Sequence, residues 1–139
     1  MKVEVVVERT GVPVGVATDA ADVPETALGP AALASIPAAV PVAAGTPVMA
    51  DRAYDSDPLR EQLAADGLRL VARHRKGRKR PPTADGRVCR RLRRRWIVER
   101  TFAWLHSFRR VVTRFEKSME RYDGLVHLAC AFIALARLV

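Results

Sequence analysis

The sequence predicts an α/β fold, and three observations carry that reading. Two valine-rich runs, residues 3–8 and 12–18, are split by Arg9-Thr10-Gly11. Short apolar runs then alternate with segments of helix length. A long apolar segment closes the chain. Alternation of this kind packs helices on the faces of a mixed sheet. A length of 139 residues allows one domain with a real core, so a single domain over residues 1–139 is expected.

Taken in order, the two valine-rich runs form a β-hairpin, and Pro13 places the second near a sheet edge. Asp22 is a candidate cap for a helix beginning near Pro24-Glu25, which Gly29-Pro30 should interrupt. Residues 37–47 hold three Pro and a Gly and read as a loop. Val48-Met49-Ala50 is a short buried strand ending at Asp51. Ser56 or Asp57 caps the next helix, with Pro58 in its first turn and Gly67 closing it. Residues 68–72 make a further strand. The final helix, residues 118–138, is apolar from Leu125 onward and should cover one face of a sheet. It carries His127 and Arg137 and falls short of the ~20 apolar residues a membrane span needs.

Charge narrows the partner. The chain has 24 basic and 15 acidic residues, a formal net charge of +9, which points to a polyanion. Half of the basic residues, 12 of 24, fall within residues 73–95, where Asp85 is the one acid. Pro81-Pro82 and Asp85-Gly86 forbid a continuous helix there, so a mobile basic loop is expected. Cys89 and Cys130 form no framework or metal spacing and read as reduced thiols of a cytosolic protein. The N-terminus lacks the apolar stretch and cleavage site of a secretory signal.

Residues 94–110 read as one amphipathic helix. Ile97, Thr101, Trp104, Leu105, Phe108 and Val112 recur at spacings of three and four and make an apolar stripe. Arg95, Glu99, Ala103, His106 and Arg110 share another face. On the helix alone, the plain reading of Glu99 is an i,i+4 pair with Arg95 on a solvated face. The plain reading of Asp51 is a turn or cap residue, a role Asp55 and Asp57 can also fill. The three histidines are isolated and offer no metal-ligand spacing.

Two stretches change that balance. Ala50-Asp51-Arg52-Ala53-Tyr54-Asp55-Ser56 precedes Glu99 so that the two acids lie 48 positions apart, and residues 94–110 read RRWIVERTFAWLHSFRR, with VTRFEKS at 112–118. Together these resemble the insertion-sequence DDE transposases of bacteria, across nearly the whole chain. In that family an ADKGYDS-type segment ends a short strand and carries the second catalytic Asp. A WxVERTFAWLxxFRR helix carries the catalytic Glu. The resemblance implies that Asp51 and Glu99 are catalytic and bind the metal, and that Arg95 contacts a phosphate. His106 stands where many members have Lys, and Leu92 where many have Tyr.

The family's first Asp lies on a strand before the hairpin. This chain begins with the hairpin, and neither Glu4 nor Glu8 is placed to substitute. The resemblance therefore implies a truncated RNase H-like fold, its first central strand missing. The chain reads as the C-terminal part of a transposase, inactive or weak alone, holding Mg²⁺ or Mn²⁺ of a two-metal site only weakly. Its implied function is DNA transposition by strand nicking and transfer. Expected DNA contacts are Arg73, Arg75, Lys76, Arg78, Lys79, Arg80, Arg90, Arg91, Arg94, Arg95 and His106. Implied partners are transposon ends and target DNA, an upstream transposase segment and, when complete, a second copy. A cytoplasmic, nucleoid-associated bacterial location follows. The competing reading is a basic DNA-binding remnant with no chemistry. RNA binding is disfavoured, because the aromatic residues lie at apolar-face positions and not within the basic loop.

Overall fold

The computed structural model describes residues 1–83, 87 and 90–138, without the side chain of Arg91. The expected turn at Asp85-Gly86 and Cys89 lie outside these residues. The chain divides into two compact units, residues 1–40 with 95–139, and residues 41–94.

In the first unit, β1 (Lys2–Val7) and β2 (Pro13–Asp19) form the predicted antiparallel hairpin, with Val5 opposite Val16 and an irregularity at Val6/Val7. The tight turn is held by Gly11 N–H donating to Glu8 O (3.0 Å) and by Thr10 N–H donating to the Glu8 carboxylate (2.9 Å). Gly11 has φ +92°, which only glycine adopts freely. Helix α1 (Glu25–Ala34) lies on β2 and buries Leu28 and Ala32, one turn apart. It departs from expectation twice. Pro24 and not Asp22 occupies the cap, with no side-chain bond, and the helix runs through Pro30. Pro30 stands inside the ten-residue helix and costs one intrahelical bond there. Burial of Leu28 and Ala32 offsets that loss, and Ser35 Oγ accepts from Val16 N–H (2.8 Å) while donating to Ala32 O (2.8 Å).

The second unit contains β3 (Thr46–Ala50), α2 (Asp57–Ala65) and β4 (Leu68–Ala72), a parallel strand pair joined by a helix. Ser56 is the cap, accepting from Leu59 N–H (3.4 Å), and Gly67 closes the helix at φ +75°, both as the sequence predicts. Leu59 and Leu63 of α2 are buried, as are Leu70, Val71 and Ala72 of β4. One mixed sheet was the expectation. The described strands instead form two separate two-stranded sheets, one antiparallel and one parallel. No strand among the described residues bridges them, so each strand keeps one open edge.

Back in the first unit, α3 (Trp96–Leu105), α4 (Arg109–Val112) and α5 (Met119–Leu138) complete the core. Val5, Val16, Leu105, Tyr122, Val126, Ala129, Cys130 and Ile133 form one buried cluster, with Phe102, Trp104 and Phe108 at its margin. Thus α5 covers the hairpin, as its apolar composition predicts, and Thr18 Oγ1 donates to Asp123 Oδ1 (2.7 Å) along the same seam. No helix among the described residues is long and apolar enough to cross a membrane. The single helix expected over residues 94–110 is broken. It begins as a 3-10 segment at Arg90–Arg95 and ends at Leu105. Ser107 Oγ donates to Trp104 O (2.7 Å), competing with helix propagation, and Phe108 is extended. The break turns Val112 off the apolar stripe and leaves it exposed.

Two glycines give opposite predictions. A methyl at Gly15 would lie 2.4 Å from Ala32 O, whereas one at Gly124 in α5 meets nothing within 4 Å. Thermal unfolding should show Gly15→Ala destabilised by roughly 1–3 kcal/mol and Gly124→Ala stabilised by up to about 1 kcal/mol.

Candidate functional site

Asp51 directly follows β3, because the five-residue strand ends at Ala50. Its carboxylate accepts from Arg52 N–H (2.5 Å) and starts a 3-10 turn, Arg52–Tyr54. The side chain is exposed. The strand exit places it where open α/β structures present ligand-binding groups.

Asp55, four residues on, is the most heavily bonded acid among the described residues of the second unit. Its side chain is 3% exposed. One oxygen receives the Arg60 guanidinium (2.7 Å), His74 Nδ1 (3.0 Å) and the Arg78 guanidinium (3.4 Å), and the other accepts Arg75 N–H (2.6 Å). Thr83 N–H donates to His74 Nε2 (3.1 Å), so the imidazole proton sits on Nδ1 and is given to Asp55. Burial alone would raise this carboxyl. The bonds from Arg75 N–H, His74 and Arg60 outweigh burial and hold it far below the usual carboxylate range. Asp57 takes Arg78 (2.9 Å) and Arg80 (2.8 Å), which lower its carboxyl as well.

These contacts correct the reading of residues 73–95 as a free loop. Residues 74–83 form a strap fastened to the turn after Asp51, and Arg90–Arg95 is helical. The reason is charge: a run of cations without an acid of its own recruits the nearest carboxylates. His74, read as isolated, is a bridge between Asp55 and Thr83. Sequence reasoning assigned Asp55 no more than a turn or cap role. The signal was present, since Ser56 takes the cap and leaves Asp55 available to the basic run.

Glu99 lies in the first unit, on the outer face of α3. That face emerges as predicted, with Arg95, Glu99, Ala103, His106 and Arg110 all exposed. The opposite face is anchored to the hairpin turn. Thr101, fully buried, donates its hydroxyl to Gly11 O (2.6 Å), and the Arg100 guanidinium donates to Thr10 O. Arg100 is also sandwiched between Trp96 and Trp104, at 4.9 and 4.8 Å from the ring centroids. Arg137 covers Trp104 at 3.9 Å. The pair between Arg95 and Glu99 is not formed, and Glu99 has no ion pair among the described residues. His106 follows the last turn of α3 and tilts against Phe102, with ring centroids 6.5 Å apart.

Of the expected DNA contacts, Arg75 bonds the carbonyls of Arg52 (3.5 Å) and Ala53 (2.7 Å), and Arg78 is held by the two aspartates. Arg80 pairs with Asp57 but stays largely exposed. Arg73, Lys76, Lys79, Arg90, Arg94 and Arg95 are exposed, and the Arg91 side chain lies outside the described residues. Leu92 is buried. Burial pushes the Cys130 thiol up to about 11, which leaves it protonated at neutral pH. No three His, Cys, Asp or Glu side chains among the described residues gather closely enough to hold a metal ion.

The family model described as Transposase DDE domain matches residues 1–133. The chain belongs to the transposase DDE domain family. It is 38% identical over 86 residues to a Burkholderia cepacia protein named as a transposase for insertion sequence element IS402. It is 39% identical over 90 residues to a Brucella ovis protein named as a transposase for insertion sequence element IS6501. The alignments cover 62% and 63% of this chain, but 37% and 66% of those relatives. No solved structure matches the chain significantly. The match to a DDE domain agrees with the resemblance that rests on the Asp51 and Glu99 segments.

A lowered carboxyl has a signed consequence. Asp55 stabilises the fold fully above the unfolded aspartate value of about 3.9, and that contribution is lost as pH falls through the lower folded value. Thermal unfolding against pH should therefore show the Tm gap between wild type and Asp55→Asn widest above about pH 5 and narrowing below about pH 4.

Proposed function

We propose that this chain serves DNA transposition as part of a DDE catalytic domain, with Asp51 and Glu99 as catalytic carboxylates that act with divalent metal on a scissile phosphate. The observation that carries the proposal is Glu99 itself. An exposed carboxylate sits on an arginine-rich helix, on a face that its neighbours Arg100 and Thr101 keep turned outward, and it forms no ion pair among the described residues. Family membership over residues 1–133 supports the same reading.

The donor set fits the metal. Asp51 and Glu99 are exposed carboxylates, and hard oxygen donors suit Mg²⁺ or Mn²⁺. When bound, such an ion polarises the phosphoryl oxygen and makes a water or 3′-hydroxyl a stronger nucleophile. Asp51 and Glu99 would hold the ion, and Arg95 would bind a phosphate oxygen. The exposed cations Arg73, Lys76, Lys79, Arg90 and Arg94 contact the DNA backbone, as does His106. The chain should bind DNA with an affinity that falls as salt rises.

The test uses this chain joined to a family segment bearing the first Asp, with Mg²⁺ and a transposon-end duplex. Asp51→Asn and Glu99→Gln should each lower nicking by roughly 10³-fold, several kcal/mol of transition-state stabilisation. Salt-dependent DNA affinity should change little. If both variants nick like wild type, the catalytic assignment fails. If no version nicks while affinity persists, the chain is a DNA-binding module without chemistry.

A further inference from the structure

The geometry points to Asp55 as a positioning residue for DNA: it fastens the basic strap so that Lys76 and Lys79, and not Arg75 or Arg78, face the phosphate backbone. This deepens the functional reading above and rests on its DNA partner.

The strap alternates between fastened and released positions. His74 and the Arg75 amide are tied to Asp55, Arg78 to Asp55 and Asp57, Arg80 to Asp57, and Thr83 to His74. Between these points lie Lys76 and Lys79, both exposed and in no ion pair among the described residues. Gly77, at φ +82°, makes the turn that carries Lys76 to the tip, where an added methyl would meet nothing within 4 Å. The Arg78 guanidinium is turned inward, its side chain 14% exposed. Arg75 is itself exposed, yet its guanidinium bonds the carbonyls of Arg52 and Ala53, while Arg78 is held by Asp55 and Asp57. Their inward bonds preorganise the two lysines, which removes much of the ordering cost that a free loop incurs on binding. Asp55 is well suited to this work. It is buried, it accepts from four donors, and it follows Asp51 by a single short turn, so the strap and the Asp51 turn form one body.

The prediction has an unusual sign. Neutralising Asp55 makes the protein more basic, so simple electrostatics predicts tighter DNA binding, whereas loss of positioning predicts weaker binding. The matched control is Glu61→Gln, the same charge change on the exposed face of α2. Binding of a fluorescein-labelled duplex to the full chain is followed by anisotropy over a salt series, with folding checked by circular dichroism.

Asp55→Asn should bind roughly tenfold more weakly than wild type, and Glu61→Gln within about twofold of it. Lys76→Ala with Lys79→Ala should make the plot of log affinity against log salt shallower by about 2. Hydrogen exchange on wild type should find the Arg75 amide protected, and this readout decides the fastening even if Asp55→Asn unfolds. A merely structural Asp55 would lower Tm yet leave affinity below Tm equal to that of Glu61→Gln, and that result overturns the proposal. So does an unchanged salt slope in the double-lysine variant, or an Arg75 amide exchanging like a free loop amide. If wild type itself shows no salt-dependent DNA binding, the DNA reading falls as well.

Discussion

A buried carboxylate governs how this strongly basic chain folds. Without acids of their own, the cations of residues 73–80 would repel one another and remain a solvated tether. Asp55 changes that by pairing with Arg60 of α2 and accepting from His74, Arg75 and Arg78 of the strap in a nearly solvent-free position. The desolvation cost of burying it is met because the Arg75 amide, His74 and Arg60 stabilise the charged form. The result ties the turn after β3, the first turns of α2 and the strap beyond β4 into one unit. Asp51, the proposed catalytic acid of that unit, inherits its rigidity.

The other unit meets a different problem, which is how to keep a polar helix face in a fixed direction. Helix α3 is short, and helices of that length are marginal without tertiary contacts. Thr101 and Arg100 supply them by bonding successive carbonyls of the hairpin turn, and glycine at position 11 leaves room for the Arg100, Ile97 and Thr101 side chains. The stack of Trp96, Arg100, Trp104 and Arg137 braces the helix from the side. Rotation of α3 is thereby set, and Glu99 faces away from the core. The same arginine count that suggests an electrostatic surface thus divides by role: some cations brace the fold and others remain exposed.

Much of this was readable beforehand. The hairpin, the strand positions of β3 and β4, the Ser56 cap and Gly67 stop of α2, and the covering C-terminal helix each follow from local pattern, because periodicity and turn chemistry act over a few residues, although β3 is not the buried strand expected, since Met49 is exposed. The apolar stripe of α3 is equally legible through Thr101 and Leu105. Where the reading departed from the structure, a nonlocal term intervened. Pro30 is tolerated because α1 is pressed against Gly15. Val112 leaves its stripe because Ser107 closes the helix early. The strap is fastened because its counter-charges lie some twenty positions upstream.

The sequence by itself determined the α/β class, the family, and which two acids are worth testing, since these reside in residue types at fixed spacing. Only the tertiary structure decided which cations are available. Side chains of the same charge, neighbours in the chain, were separated into inward and outward sets by hydrogen bonds to Asp55, Asp57 and the carbonyls of Arg52 and Ala53. Composition counts charges, but it holds no record of which ones the protein has already neutralised.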